Sequence, residues 1–164
     1  MDEVDRLIQA WARERPELDT GPMQVLSRVT RLARLLDRAR RHAFAAHRLE
    51  TWEFDVLSAL RRAGAPFELS PGRLLHEMLV TSGTMTNRVD RLAGRGLVER
   101  SRALTDRRGV LVTLTPAGRH TVDDALADLV AGERVLLRGL DPAGERALAE
   151  QLRRMLAPFE HHDP

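Results

Sequence analysis

The apolar pattern of this sequence changes period at Gly94-Arg95-Gly96, and that change limits the folds open to the chain. Upstream, apolar residues recur every three to four positions, the spacing of one helix face. Downstream, Leu97-Val98-Glu99-Arg100 and Val110-Leu111-Val112-Thr113-Leu114 are short β-type runs. Just before the change, Ser70-Pro71 pairs a cap with proline at the first helical position and opens a short helix to about Val80. Thr81 or Ser82 opens another, closed by Gly94 and Gly96. Residues 70–115 therefore run helix, tight turn, helix and two-stranded hairpin, with Ser101 to Gly109 as a projecting tip.

The flanks are helical. Val4, Leu7, Ile8 and Trp11 share one face of a helix over residues 3–14, which must stop before Pro16. After the turn Asp19-Thr20-Gly21-Pro22, residues 23–47 contain no Gly or Pro, and Val25, Leu26, Val29, Leu32, Ala33 and Leu36 form a stripe. A third helix, capped at Glu50 or Thr51, reaches Ala63 with Trp52, Val56, Leu57 and Leu60 inward. Thr115-Pro116 and Asp141-Pro142 repeat the cap-plus-proline signal, for helices to about Gly139 and Pro158. Their stripes, Val122 to Leu140 and Leu148 to Phe159, are too long for a small central domain to cover. A homodimer joined through both ends of the chain is the expected remedy. The predicted fold class is mainly α with a small β-hairpin: a winged helix-turn-helix plus a helical dimerisation region.

Composition removes several function classes. The chain has no cysteine, which excludes disulfides, thiolate zinc sites and thiol nucleophiles. No apolar run approaches the roughly 18 residues of a membrane span, and the start Met1-Asp2-Glu3-Val4-Asp5 is unlike a signal peptide. The expectation is a cytoplasmic protein with no membrane partner. His42, His47, His76, His120, His161 and His162 have no metal-ligand spacing, and no GxSxG, phosphate loop or zincin motif suggests an enzyme. No catalytic residue, metal or cofactor is expected.

All 26 basic residues are arginine, which lifts the isoelectric point to about 10.6 although the net charge is only +2. Residues 21–48 hold seven Arg and one acid, and residues 82–109 hold seven Arg and three acids, so the remainder is acidic. Such segregation offers positive surface to a polyanion. On the helix after Thr81, Thr84, Asn87, Arg88, Arg91 and Arg95 share one face and Met85, Val89 and Leu92 the other. Arg forks onto guanine O6 and N7, Asn onto adenine N6 and N7, and Thr meets a thymine methyl or a phosphate. The hairpin tip adds Arg107 and Arg108, suited to a minor groove, with Asp106 placed to orient one of them. An ordinary amphipathic helix and a solvated turn are the alternatives.

With those residues in view, the chain resembles the MarR family of bacterial transcriptional regulators over roughly residues 23–157. The resemblance is carried by Phe54-Asp55-Val56-Leu57, MTNRVDRLAGRGLVER at 85–100, TDRRG at 105–109 and VLVTLTPAGR at 110–119. It implies a homodimer whose recognition helices enter successive major grooves of a palindromic double-stranded operator. Wings lie in the flanking minor grooves, and a small ligand relieves binding. Ser82, Thr84, Thr86, Asn87, Arg88, Arg91 and Arg95 would then be recognition-helix contacts, and Arg107, with Asp106 and Arg108, the wing contact.

Trp11, TWEFDVLSALRRAG at 51–64 and SGTMTNRVDRL at 82–92 are similar to the urate-responsive, PecS-like branch. That similarity implies a site for a small anionic aromatic effector, urate or a related purine or phenolic compound, at Trp11, Thr51, Asp55 and Arg88. The aromatic ring stacks the ligand, Arg88 pairs its charge, and repulsion displaces Asp55 and with it the recognition helix. Relatives often carry His or Asn where this chain has Thr51. Arg88 fits either ligand or DNA, while packing of Trp11 and a helix-dipole role for Asp55 are the plainer alternatives. Residues 1–48 are thus assigned to dimerisation and the ligand site, 49–115 to the DNA-binding domain and 116–164 to C-terminal dimerisation helices. The function expected is a ligand-responsive regulator, acting as a repressor. The competing reading is a winged-helix module for non-specific DNA binding or protein association.

Overall fold

A computed structural model of the chain describes residues 1–102 and 110–160. Along it run α1 (Glu3–Glu14), α2 (Gly21–Ala46), α3 (Thr51–Arg62), β1 (Glu68–Leu69), α4 (Pro71–Met78), α5 (Ser82–Gly94), β2 (Val98–Arg102), β3 (Val110–Leu114), α6 (Pro116–Leu137) and α7 (Pro142–Glu160). The three strands form one antiparallel sheet in the order β1-β3-β2. The hairpin registers Val98 opposite Leu114 and Arg102 opposite Val110.

Local chemistry explains most of the boundaries. The Asp2 and Asp5 side chains and backbones satisfy each other at the start of α1. Ser70 Oγ accepts from the Arg73 N–H at 3.3 Å, ahead of Pro71, and Thr115 Oγ1 accepts from the Gly118 N–H at 2.9 Å, ahead of Pro116. α4 stops at Met78, two residues before the expected end, because Leu79 takes a left-handed conformation with φ 49°. α2 starts earlier than expected, because Gly21 and Pro22 occupy its first turn, where the amide that proline lacks has no helical partner anyway. α7 continues past Pro158 to Glu160: the proline sits near the end of the helix, where it removes one bond without ending it.

One core joins α3, α4, α5, the sheet and the facing sides of α2 and α6. Phe44, Val56, Leu57, Leu60, Leu74, Leu92 and Val112 are fully buried in it, and Phe44 stacks on Phe54 with ring centres 4.1 Å apart. β1 is a finding: two residues long and carrying no alternation, it pairs Glu68 with Thr113 and Leu69 with Val112. α2 leaves Val25, Leu26, Leu32 and Leu35 exposed, and α7 buries no residue at all in the single chain. No described helix is long and apolar enough to cross a membrane.

Candidate functional site

α5 is anchored by buried Met85, Val89 and Leu92, as its period requires. Thr81 caps it, accepting from the Thr84 N–H at 3.4 Å, with the Thr84 hydroxyl 2.9 Å away. The opposite face carries Ser82, Thr84, Thr86, Asn87 and Arg91 exposed and Arg88 half-buried. A shallow groove of about 690 Å³ runs along it between Ser82, Thr86, Asn87, Asp90 and Arg91. A second, of about 440 Å³, lies between Thr84, Asn87, Arg88, Arg91 and Trp52. Gly83 lines both grooves, and a Cβ there would meet nothing within 4 Å, so the helix backbone is open to close approach. Among the described residues, Asn87 makes no side-chain hydrogen bond.

The arginines of α5 do not all project. The guanidinium carbons of Arg88 and Arg91 lie 5.4 and 4.8 Å from the centre of the Trp52 ring. Arg91 Nη2 also donates to Glu50 Oε1 at 2.6 Å, while Trp52 Nε1 donates to Glu50 Oε2 at 2.8 Å. Those two bonds, the Trp52 one foremost, hold the Glu50 carboxyl below its usual range. Arg95, expected as a DNA contact, turns back toward α3. Its Nη1 donates to Glu53 Oε2 at 2.6 Å and its Nη2 to the Arg48 carbonyl at 2.9 Å. Glu53 needs that partner because it is 2% exposed. Trp52, expected inward, is half-buried and serves as this platform, because the fully buried positions go to Val56, Leu57 and Leu60.

The foot of the hairpin is tied to the same helix. Arg100 of β2, which sequence reasoning missed, reaches Asp90 at 3.1 Å and donates to the Thr86 carbonyl at 3.3 Å. Thr115 donates to the Gly96 carbonyl at 2.8 Å, and a Cβ at Gly118 would stand 1.9 Å from the Leu97 carbonyl oxygen. α6 thus lies directly on the turn that follows α5. Asp106, Arg107 and Arg108 of the wing tip lie outside the described residues, as do His161 and His162.

Of the proposed effector residues, Thr51 and Asp55 are brought together. With Arg41, Ala45, Leu49, Glu50 and Trp52 they line a cavity of about 620 Å³ where α2 meets α3. Burial pushes the Asp55 carboxyl up from its ordinary value, and the charges of Arg40, Arg88 and Arg62 oppose that shift. Arg40 Nη2 is 3.6 Å from Asp55 Oδ1. Arg88 does not line this cavity, but Trp52, on which it rests, walls both the cavity and the groove along α5. Trp11 is not part of this cluster and is 44% exposed. Arg31 pairs with Glu3, and Arg28 with Asp5 at 2.6 Å, so α1 runs antiparallel to α2 and carries Trp11 toward the start of α2. Arg40, beside Asp55, is about 18 Å further along α2 than Arg28 at 1.5 Å per residue. Among the described residues no cluster of His, Asp and Glu is arranged to hold a metal ion.

Comparison with known proteins agrees with this geometry. The MarR family pattern matches residues 49–109, from just before α3 to just before β3. The HTH-type transcriptional regulator PecS of Dickeya dadantii is 36% identical over 160 residues, 98% of this chain and 94% of that protein. The structure describing regulation of DNA binding of Bordetella bronchiseptica BpsR by 6-hydroxynicotinic acid superposes with a TM-score of 0.66 at 28% identity, covering 84% of this chain and 96% of that one. A mutant MarR from E. coli complexed with operator DNA superposes with a TM-score of 0.67 at 25% identity, covering 85% and 99%. Identity sustained over nearly the whole length, on a helix-turn-helix with its hairpin, makes this chain a DNA-binding transcriptional regulator of the MarR family.

Proposed function

We propose that the protein is a homodimeric repressor that binds a palindromic operator and is released by a small anionic aromatic ligand. The observation that carries this reading is the placement of Asp55. It lies in a cavity between α2 and α3 whose wall, Trp52, also carries Arg88 of the reading helix. An anion entering there meets Arg41 on the cavity wall, competes with Asp55 for Arg40 and repels Asp55, and it reaches α5 through Trp52, on which Arg88 and Arg91 rest. The regulation of DNA binding of BpsR by 6-hydroxynicotinic acid supports the ligand class. Urate and related purines or phenolics share its planar, anionic character. Trp11 does not line this cavity and has no part in this reading.

In this proposal residues 49–115 form the reading head, while 1–48 and 116–164 hold two copies together. The exposed apolar residues of α2, α6 and α7 support that division. Ser82, Thr84, Thr86, Asn87, Arg88 and Arg91 meet the major groove. Arg107, with Asp106 and Arg108, supplies the wing contact in the minor groove. Acting on chromosomal DNA, the protein works in the cytoplasm.

The test is a fluorescence anisotropy titration of a labelled duplex that the wild-type protein selects from a randomised pool, against a scrambled duplex of equal length. A regulator binds the selected duplex on the order of a thousandfold more tightly, and urate or 6-hydroxynicotinic acid releases it. Arg107→Ala weakens that binding. Equal affinity for both duplexes favours the non-specific module instead, and retention of the duplex at saturating ligand removes the effector assignment.

A further inference from the structure

We propose that Trp52, on α3 and outside the helix-turn-helix pair, is a positioning residue for DNA reading that holds Arg88 and Arg91 of α5 at the angle from which they meet base edges. The inference rests on the exposed face of α5 being the reading face. Both guanidinium groups lie on the one indole, at 5.4 and 4.8 Å, within the range of cation–π attraction. The indole N–H fixes one oxygen of Glu50 at 2.8 Å, and the other oxygen takes an N–H of Arg91 at 2.6 Å. Arg91 is therefore held on two sides, by a ring face and by a carboxylate that the same ring anchors.

The chemistry of the guanidinium makes this arrangement useful. Its five N–H donors lie in one plane, and Glu50 takes one of them on Nη2. An edge remains for the paired acceptors O6 and N7 of guanine. An unrestrained arginine loses most of its rotamer freedom on binding, whereas one already ordered loses less. That advantage is realised only where a base edge matches the fixed fork. The contribution of Trp52 consequently falls on discrimination between sequences, not on the general attraction for phosphate. The platform is itself steady, because Trp52 packs partly against the core on a helix whose Phe54, Val56 and Leu57 are buried.

The test titrates full-length wild type, W52L, W52F, E50Q and N87A against the selected and scrambled duplexes. W52L is expected to lose about tenfold on the selected duplex and less than about threefold on the scrambled one, while W52F, which keeps a ring face, retains most of the ratio. E50Q, on the exposed rim, lowers the ratio by about twofold to fivefold with an unchanged thermal midpoint. Equal losses on both duplexes for W52L overturn the proposal. If W52L does not fold, E50Q decides, and a wild-type ratio in E50Q overturns it. If N87A leaves the ratio untouched, the reading face itself is misassigned and the inference falls with it. If N87A lowers the ratio while W52L and E50Q do not, the platform alone is overturned.

Discussion

Arg95 on the reading helix donates at 2.6 Å to Glu53, a carboxylate on the neighbouring helix that is 2% exposed. The same Glu53 oxygen accepts the Glu50 N–H at 2.9 Å, and the other end of the guanidinium closes on the Arg48 carbonyl. A position that the helical wheel places with the DNA contacts is thus the counter-charge of a buried acid. Arg95→Ala is expected to lower the unfolding free energy by about 3 kcal/mol, because it strands Glu53 without a cation. Arg91, whose partner Glu50 lies on the surface, should cost under about 1 kcal/mol when changed to Ala. Urea unfolding of the two variants side by side checks this, and equal midpoints would contradict it.

Gly118 has a steric role. A Cβ there would sit 1.9 Å from the Leu97 carbonyl oxygen and 2.9 Å from its carbon, both backbone atoms that no rotamer change can move. Gly118→Ala should therefore part α6 from the α5–β2 turn and cost about 3 kcal/mol, at the upper end of overpacking effects. Thermal unfolding gives the answer, and a midpoint within a degree of wild type would show that the turn yields freely.

Asp55 makes a prediction with a definite pH sign. Its folded-state pKa is raised above the ordinary carboxylate value of 3.8, with burial as the leading cause. A raised acid favours the folded state while protonated, and that advantage is lost as pH rises through the folded value. Asp55→Asn should then match wild type in stability near pH 3, below the ordinary value, and exceed it near pH 7. The gain is kept small by solvent screening of a carboxylate that is 39% exposed. Denaturant titrations at the two pH values test it, and a variant less stable at pH 7 would mean that Arg40 outweighs burial.

α7 supplies a prediction about assembly. It buries nothing in the single chain while presenting Leu148, Leu152, Met155, Leu156 and Phe159. Leu152→Asp should weaken self-association by about a hundredfold, since a charge cannot be desolvated there without a partner, and leave the secondary structure intact. Sedimentation equilibrium reads the result; an unchanged dimer would move the interface elsewhere.

Much of this was legible in the sequence, for identifiable reasons. Ser70-Pro71 and Thr115-Pro116 are local signals, decided by a hydroxyl and a ring within four residues, and both mark helix starts in the structure. The two faces of α5 follow from period alone. What escaped depended on contacts between distant segments. β1 is two residues made into a strand only by β3. Trp52 fits an apolar period but stands at the rim, where its ring meets arginines more than thirty positions away. Arg95 and Arg100 are indistinguishable from solvent-facing arginines until Glu53 and Asp90 are placed beside them. Trp11 and Asp55 belong to one expected cluster, yet the antiparallel course of α1 keeps them apart within a protomer.

The bare apolar flank of α7, with Phe159 77% exposed, has a bearing on cellular abundance. If a second copy covers that flank, survival of each newly made chain depends on how soon it meets another. Below the dissociation constant, solitary chains are the ones offered to proteases and to aggregation. The gene for such a protein cannot be tuned to arbitrarily few molecules per cell, and its expression level has a floor set by surface chemistry far from the bases it reads.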